Sequence, residues 1–134
     1  MKVTMTPYLF FDKCCEEALT VYKEVLGGDF SIAQRYDNGF MEVAPGLEQK
    51  VMHAHGDFAG NAFFAADNLN MDPEKQANRV ALSLNLESPE KGTEVFEKLS
   101  VGGKIHVPFT KQFWGAWHGN FTDRFGIRWM INCD

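Results

Sequence analysis

The sequence contains only three cysteines, which excludes a disulfide framework. Two of them are adjacent (Cys14 and Cys15), and the third, Cys133, lies at the other end of the chain. An odd number of cysteines cannot pair fully within one chain, and reduced thiols are typical of reducing compartments. We therefore expect a cytoplasmic protein.

Long apolar segments and an excess of basic residues are also lacking. No apolar run approaches the roughly 20 residues that span a bilayer. The apolar start in residues 1–11 runs directly into Asp12 and Lys13, which is not typical of a signal peptide. The formal net charge is −5, whereas nucleic acids and anionic membranes select basic patches. The sequence therefore predicts no nucleic-acid partner and no membrane partner.

Aromatic residues, in contrast, are plentiful, with 12 phenylalanines among 134 residues. This length fits a single domain, because domains cluster at roughly 100–150 residues. The phenylalanines are consistent with an aromatic core, an apolar cavity or a subunit interface, and composition does not distinguish these.

Hydrophobic periodicity in the first half predicts one helix among several strands. Residues 15–26 have apolar side chains at the helical spacing and acidic residues in the first turn, and they end at two glycines. The strands are predicted at 3–11, 29–36, 50–58 and 61–66. The polar residues 67–78 are predicted to link the two halves.

The same order of elements follows in the second half. A strand is predicted at 79–87 and a helix at 89–101, with Pro89 in its first turn. Further strands are predicted at 104–109, 113–121 and 127–133.

Matching landmarks indicate that the two halves are duplicates. The first helix ends VYKEVLGG (21–28), and the second ends VFEKLSVGG (95–103). The sequence HGDF at 55–58 is matched by HGNF at 118–121, and an apolar strand follows each. We therefore predict one domain, 1–134, with one βαβββ module at about 1–70 and a second at about 78–134.

Several motifs resemble those of PhnB-like proteins, which belong to the vicinal-oxygen-chelate (glyoxalase/bleomycin-resistance/dioxygenase) superfamily. The motifs are Thr6-Pro7-Tyr8-Leu9, Glu17-Ala18, Tyr22, Gly27-Gly28, His53-Ala54, Phe113-Trp114-Gly115, Gly119, Thr122-Asp123, Phe125-Gly126 and Trp129-Met130-Ile131-Asn132. The resemblance implies an α+β fold in which two tandem βαβββ modules form curved half-barrel sheets around a pocket. It also implies a homodimer.

Some PhnB-like proteins carry the label 3-demethylubiquinone methyltransferase, which this sequence does not support. A conventional methyltransferase has a glycine-rich turn after the first strand of an alternating α/β pattern. Here the first predicted strand leads to Asp12-Lys13-Cys14-Cys15.

Metal-dependent members of the superfamily bind one divalent ion through four side chains on the first and last strands of the modules. The resemblance places these positions near Met5, Ala65, Arg79 and Met130, with Ala65 and Met130 equivalent in the repeat. Alanine has no donor atom, arginine is a permanent cation, and thioethers suit copper(I). We therefore predict no cofactor and no metal at the family position, and leave open a divalent metal elsewhere.

His53 and His55 are the main candidates for chemistry. They lie two residues apart on a predicted strand, so both side chains point to the same face. A neutral imidazole there can line a pocket, bind a metal or transfer a proton, and His53 is the candidate catalytic residue. Alternatively, one histidine is hydrogen-bonded at a strand end and the other lies beside a turn.

Three further residues are candidates for the pocket. Trp114 offers a wall for a planar ligand, although it also suits core packing. Arg79 would need a carboxylate partner such as Asp67, or an anionic ligand, if it pointed into the pocket; otherwise it reaches solvent from a strand end.

Two other features have structural interpretations. We expect Asp123 to accept backbone N–H bonds in the turn before the last strand, and Trp129 to pack in the core. Cys15 stands near a helix N-terminus, where a thiol can become reactive, but a buried, inert cysteine is the simpler interpretation.

Three functions remain open. The first is metal-free binding of a small aromatic or anionic molecule in the half-barrel pocket of a homodimer. The alternative is a glyoxalase- or dioxygenase-like lyase or isomerase for a small oxygenated substrate, with His53 as acid/base or as ligand of a relocated metal. The third is a dimerising scaffold without a ligand.

Overall fold

In a computed structural model of the chain, residues 1–39, 42–72 and 79–134 are described. The chain divides into two compact units, Met1–Lys75 and Gln76–Asp134. Each unit contains one four-stranded mixed sheet and one helix. The predicted α+β fold with two βαβββ modules is thereby confirmed. Neither helix in the described ranges is long and apolar enough to cross a membrane.

The first unit has the order β1, α1, β2, β3, β4. Its elements are β1 Tyr8–Phe11, α1 Cys15–Leu26, β2 Asp29–Arg35, β3 Val51–Phe58 and β4 Asn61–Asp67. The sheet order is β1-β4-β3-β2. β1 pairs with β4 in parallel, whereas the other two pairings are antiparallel. The outer strands are therefore β1, which precedes the helix, and β2, which follows it.

The second unit repeats this arrangement. Its elements are β5 Leu82–Asn85, α2 Pro89–Leu99, β6 Lys104–Lys111, β7 Trp117–Thr122 and β8 Arg128–Cys133. The sheet order is β5-β8-β7-β6, and the single parallel pairing again joins the first and last strands.

In both units the helix packs on one side of the sheet. In α1 the buried residues Ala18, Leu19 and Tyr22 share one face, as the helical period requires. α1 ends at Gly27, whose φ of 75° is a left-handed conformation that glycine adopts at little cost. In the second unit Phe96 of α2 meets Phe121 of β7 edge to face at 5.0 Å.

Strand alternation gives each sheet a helix side, which packs against the helix, and an opposite side, the open side. On β4 the buried residues Phe63, Ala65 and Asp67 lie on the helix side. On β8 the buried residues Trp129 and Ile131 lie there. Intervening residues lie on the open side, because successive side chains of a strand point to opposite faces.

This alternation overturns one expectation from the repeat. Ala65 and Met130 are not equivalent, because Ala65 is fully buried on the helix side of its sheet. Met130 lies between the buried Trp129 and Ile131, so its side chain is on the open side.

Three predicted strand limits are wrong. β1 begins at Tyr8 rather than at residue 3, and β5 covers only Leu82–Asn85. The strand predicted at 113–121 begins at Trp117, because a turn precedes it in which Gly115 has φ 97° and its N–H bonds Gln112 O.

Candidate functional site

The open side of the first sheet has a cluster of aromatic and imidazole rings. Its members come from three neighbouring strands, and we call them the aromatic–imidazole face: Tyr8, Phe10, His53, His55 and Phe64. Phe64 lies in the middle, since it is the cross-strand partner of both Tyr8 and His55. The ring centroids of Phe64 and either histidine are 5.2 Å apart. The prediction that His53 and His55 share one face is confirmed, with ring centroids 4.7 Å apart.

Tyr8 fixes the orientation of the His53 ring. The Tyr8 hydroxyl lies 2.8 Å from His53 Nδ1, and which atom donates depends on the histidine tautomer. Within the described parts of the chain, no hydrogen bond to His53 Nε2 is found. The imidazole is therefore held by one nitrogen and presents the other for a ligand or a proton.

The aromatic–imidazole face is open to solvent. Tyr8 is 41% exposed and Phe10 is 48% exposed, and their rings stack at 4.7 Å with an interplanar angle of 11°. Adjacent exposed aromatic rings on a sheet offer a flat apolar surface with polar atoms at its edge. Such a surface can stack against a planar molecule, while the imidazoles accept or donate a hydrogen bond.

Asp67 lies on the helix side, away from the histidines. Its carboxylate accepts hydrogen bonds from Cys15 N at 2.9 Å and from Val51 N at 2.8 Å, and the residue is 2% exposed. It therefore joins the first turn of α1 to the start of β3. Burial, and then the charge of Asp67, raises the pKa of the Cys15 thiol to about 12. A thiol with this pKa stays protonated near neutral pH and is a poor nucleophile.

A surface cleft with a volume of about 460 Å³ lies at the start of α1. Lys13, Cys14, Glu16 and Lys50 are among its lining residues. Arg35 bonds both carboxylate oxygens of Glu16, at 3.0 and 2.9 Å, and lowers the pKa of that carboxyl. The charge of Glu16 is thus neutralised in part by Arg35, which lies outside the lining, and the histidines are not among the lining residues.

The other two pocket candidates are exposed. Arg79 lies before β5 and is exposed. Trp114 is 58% exposed in the turn between β6 and β7, where its ring meets Phe113 edge to face at 4.9 Å. Neither residue belongs to the aromatic–imidazole face, which lies in the first unit.

Two structural interpretations from the sequence are confirmed. Asp123 accepts hydrogen bonds at 2.9 Å from Phe125 N and Ile127 N, so its carboxylate closes the turn before β8. It also accepts a hydrogen bond from Trp129 Nε1, and Trp129 is buried.

Sequence reasoning missed a hydrogen-bonded chain of side chains on the open side of the second sheet, which we call the amide–histidine network. Its members are Ser83, Asn132, His118, Asn120 and Arg128. Asn132 donates to Ser83 Oγ at 2.8 Å, and Asn132 Oδ1 lies 2.7 Å from His118 Nδ1. Asn120 Nδ2 lies 3.1 Å from His118 Nε2. Arg128 donates to Asn120 Oδ1 at 3.3 Å. The sequence signal for this network was the pair of polar residues Arg128 and Asn132, which lie on the same face of the otherwise apolar strand β8.

The residues of this chain at the family's metal-ligand positions do not supply the donor atoms that the metal-dependent members use. Met5 is exposed before β1, Ala65 is buried without a donor, and Arg79 is a cation. Open-side positions on the first and last strands of each unit hold Tyr8, Phe10, Ala62, Phe64, Ala66, Ser83, Asn85, Arg128, Met130 and Asn132, which include no imidazole and no carboxylate. In the described residues, no group of three or more His, Cys, Asp or Glu is placed to hold a metal ion. The prediction of no metal at the family position stays a prediction.

Comparisons with known proteins extend over the whole chain. The family model described as 3-demethylubiquinone-9 3-methyltransferase matches residues 3–132. Protein YjdN from Escherichia coli strain K12 is 29% identical over 140 residues, which cover 96% of this chain and 93% of YjdN. The crystal structure of PA1353 from Pseudomonas aeruginosa is 33% identical, with a TM-score of 0.83 and coverage of 99% and 98%. The PhnB protein from Bacillus cereus is 25% identical, with a TM-score of 0.85 and coverage of 98% and 100%.

The fold is shared more widely than the sequence. Solved proteins of the glyoxalase/bleomycin resistance/dioxygenase group have the same fold at 16% identity. In this chain β1 leads into α1 without a glycine-rich loop, and each sheet has one parallel pairing rather than a doubly wound α/β order. The chain therefore belongs to the PhnB-like family, and it has the fold of the glyoxalase/bleomycin resistance/dioxygenase proteins.

Proposed function

We propose that the chain binds a small molecule with a planar, apolar part on the aromatic–imidazole face, without a metal. The observation that carries the proposal is the exposed stack of Tyr8 and Phe10 beside His53. Large rings exposed side by side in a monomer are typical of a surface that a ligand or a partner covers.

The chemistry of the face favours a ring with a polar substituent. A planar ligand gains apolar contact with the rings of Phe10 and Phe64 and a hydrogen bond at His53 Nε2. Each aromatic pair contributes about 1 kcal/mol beyond the area that it buries. An aliphatic molecule of equal size would gain the area and lose this contribution.

We also propose that the protein is a homodimer, as expected from the family. The exposed rings of Phe113 and Trp114 support it, since they form an apolar projection on the second unit. Sedimentation equilibrium tests this part directly. A dimer has twice the 15.2 kDa mass of one chain, and a sedimenting mass of one chain at micromolar concentration would refute it.

Titration with 2-naphthol, followed by its fluorescence, tests the binding proposal. We expect saturable binding and about tenfold weaker binding by Phe10→Ser, because a ring that contributes one aromatic contact is lost. Phe113→Ser is the matched control, since it removes an exposed ring outside the face. No saturable binding, or equal weakening by both variants, would contradict the proposal.

The second candidate function is an acid–base enzyme, and the Tyr8–His53 contact favours it. A phenol that holds Nδ1 orients the ring and leaves Nε2 as the atom that takes a proton. The reaction class would be proton abstraction beside a carbonyl group of a small oxygenated substrate.

Hydrogen–deuterium exchange tests this alternative without a known substrate. α-Hydroxyketones and α-ketoaldehydes would be incubated with the protein in D₂O and followed by proton NMR. An enzyme would accelerate the loss of the α-proton signal, and His53→Gln would abolish the acceleration. A binding protein would leave the exchange rate unchanged in both forms.

A further inference from the structure

Three residues form a row across the open side of the second sheet. Arg128 of β8 is the cross-strand partner of Thr122 of β7, which is in turn the partner of Lys104 of β6. Directly opposed residues of antiparallel strands share a face, with Cβ atoms about 5 Å apart. Lys104 and Arg128 therefore lie on either side of Thr122 on this face of the sheet.

His106 completes this row through an irregularity in β6. The pairing of β6 with β7 shifts register between Ile105 and Val107, and a bulge of this kind redirects a side chain. His106 Nε2 lies 2.8 Å from Thr122 Oγ1. If Nε2 carries the ring proton, it donates to Oγ1 and leaves the hydroxyl proton free to donate elsewhere. We call Lys104, His106, Thr122 and Arg128 the basic row.

The amide–histidine network orients the guanidinium of Arg128. Asn132 donates to Leu84 O at 3.4 Å, and a backbone carbonyl only accepts, so the Oδ1 of Asn132 must face His118. His118 then donates from Nδ1 and accepts at Nε2 from the amide of Asn120.

The hydrogen bond between Arg128 and Asn120 has the donor and acceptor that these assignments require. Arginine only donates, and it meets the oxygen of Asn120, as the preceding bonds require. The guanidinium has five N–H donors, of which this contact uses one. Among the described residues no other bond to this guanidinium is found, so its remaining donors can meet a ligand from a group that is already held in place.

No carboxylate occupies an open-side position of strands β5 to β8, all of whose residues are described. Every open-side position of β5 to β8 is neutral or basic: Ser83, Asn85, Lys104, His106, Val107, Thr110, His118, Asn120, Thr122, Arg128, Met130 and Asn132. Asp123 is buried and bonds the turn and Trp129. The glutamates Glu90, Glu94 and Glu97 belong to α2 on the other side. In a chain with net charge −5, this is a local excess of positive charge.

We propose that the basic row is a binding site for a small oxyanion, namely a phosphate or carboxylate group. Arg128 and Lys104 would give charge-assisted hydrogen bonds to the anion oxygens, and Thr122 would add a neutral one. The site belongs to the second unit alone and does not depend on ligand binding by the aromatic–imidazole face.

Titration of ¹⁵N-labelled protein with inorganic phosphate and, separately, with acetate tests this site. Acetamide is the uncharged control for acetate. We expect saturable shifts of the Thr122 amide and the Arg128 Nε signals at millimolar anion, with none from acetamide. Binding of phosphate alone assigns a phosphate group, binding of acetate alone assigns a carboxylate, and binding of both assigns the shared oxyanion chemistry.

Two site variants and one control locate the anion. Lys104→Gln and Arg128→Gln should each weaken binding about tenfold, because each removes a charge-assisted hydrogen bond. Lys98→Gln makes the same charge change on α2, where Lys98 pairs with Glu94 at 3.0 Å. Lys104 is exposed, so its variant stays informative if Arg128→Gln fails to fold.

The proposal is overturned if neither anion gives saturable shifts. Equal weakening by Lys98→Gln would show a general charge effect and would overturn it as well. The Lys104→Gln variant should bind 2-naphthol normally, so failure of this site and failure of the proposed function are distinguishable.

Discussion

The two units differ at the start of their helices. In the first, Asp67 from the end of β4 accepts the Cys15 N–H of α1 and the Val51 N–H of β3. In the second, Ser88 directly before α2 accepts the N–H of Lys91 at 3.1 Å, with Pro89 as the first helical residue. One helix is capped by a distant carboxylate and the other by a neighbouring hydroxyl. The same βαβββ order therefore tolerates either solution, because the helix needs only an acceptor for its unpaired N–H groups.

The open sides differ as strongly. The first unit presents stacked rings and two histidines, whereas the second presents the amide–histidine network and the basic row. Open-side residues are not constrained by packing against the helix, since successive strand residues face opposite ways. The duplicated fold thus carries two chemically distinct surfaces.

The largest effect on the free energy of unfolding is expected when the buried carboxylate of Asp67 or Asp123 is removed. Asp123→Ala removes the acceptor of three N–H groups, and we expect a loss of about 4 kcal/mol in the free energy of unfolding. Asp67→Ala leaves two backbone N–H groups without an acceptor and should lower the free energy of unfolding by about 3 kcal/mol. Urea denaturation measures both, and hydrogen exchange assigns each loss to its unit.

Asp57→Ala is the control for these variants. It removes an exposed carboxylate opposite Asp29, so a change within about 0.5 kcal/mol is expected. If Asp67→Ala lowered the free energy of unfolding as little as Asp57→Ala does, the start of α1 would not depend on the Asp67 carboxylate, and the contrast with α2 would be wrong.

The matched glycines of the two HG sequences provide the next comparison. A Cβ added to Gly119 would lie 2.7 and 2.8 Å from the backbone Cα and N of Phe109, which cannot turn away. A Cβ at Gly56 would meet the rings of Phe63 and Phe30 at 2.6 and 2.8 Å. We expect about 3 kcal/mol of destabilisation for Gly119→Ala and about 1 kcal/mol for Gly56→Ala, because rings reorient more easily than backbone. Thermal or urea unfolding that gave equal costs would contradict this reasoning.

The Cys15 thiol of the first unit should contribute an alkaline dependence of stability. The Cys15 thiol has its pKa raised from 9.0 to about 12 in the folded chain. Above pH 9 the unfolded thiol loses its proton while the folded one keeps it, so the folded state binds more protons and stability falls as pH rises. The slope from this group approaches about 1.4 kcal/mol per pH unit.

Cys15→Ala tests this dependence. Urea unfolding between pH 9 and pH 10.5 should give a shallower decline in the variant, because lysines and tyrosines titrate alike in both proteins. The constant offset from the lost side chain does not affect the slope. Equal slopes would show that the thiol ionises as easily in the folded chain as in the unfolded one.

The smallest effect concerns the contact between Tyr8 and His53. Tyr8→Phe removes one hydrogen bond at an exposed position and should change the free energy of unfolding by less than about 1 kcal/mol. The ¹⁵N shifts of the His53 ring should change at the same time. In the second unit His118 is held from both ring nitrogens, so its ring signals should report the tautomer with hydrogen on Nδ1. A mixture of tautomers at His118 would contradict the network.

Much of the fold could be predicted from the sequence. Helical spacing in 15–26, the paired glycines and the two HG sequences were sufficient to give the repeated βαβββ order. The turn function of Asp123 and the burial of Trp129 also followed, since both depend on local sequence. The limits of β1, β5 and β7 did not; before β7, the turn at Gly115 interrupts pairing where composition favours a strand.

The candidate site was harder to predict because it depends on strand register. His53 and His55 could be assigned to one face, but their contacts with Tyr8 and Phe64 come from the pairing of β1, β4 and β3. Asp67 was considered as a partner for Arg79 in case Arg79 pointed into the pocket, yet strand alternation places Asp67 on the helix side, where it bonds the start of α1. The pairing register of β6, β7 and β8 also brings together the basic row, whose members lie far apart along the chain.

The contact between Asp67 and Cys15 has a consequence for the order in which the chain folds. The two residues are 52 positions apart, so α1 lacks its acceptor until β4 has been synthesised and paired. Such a contact closes a long loop, and loop closure slows folding. α2 finds its acceptor three residues away at Ser88. We expect a fragment that ends before Asp67 to leave α1 frayed at its start, whereas α2 can form its first turn as soon as it leaves the ribosome.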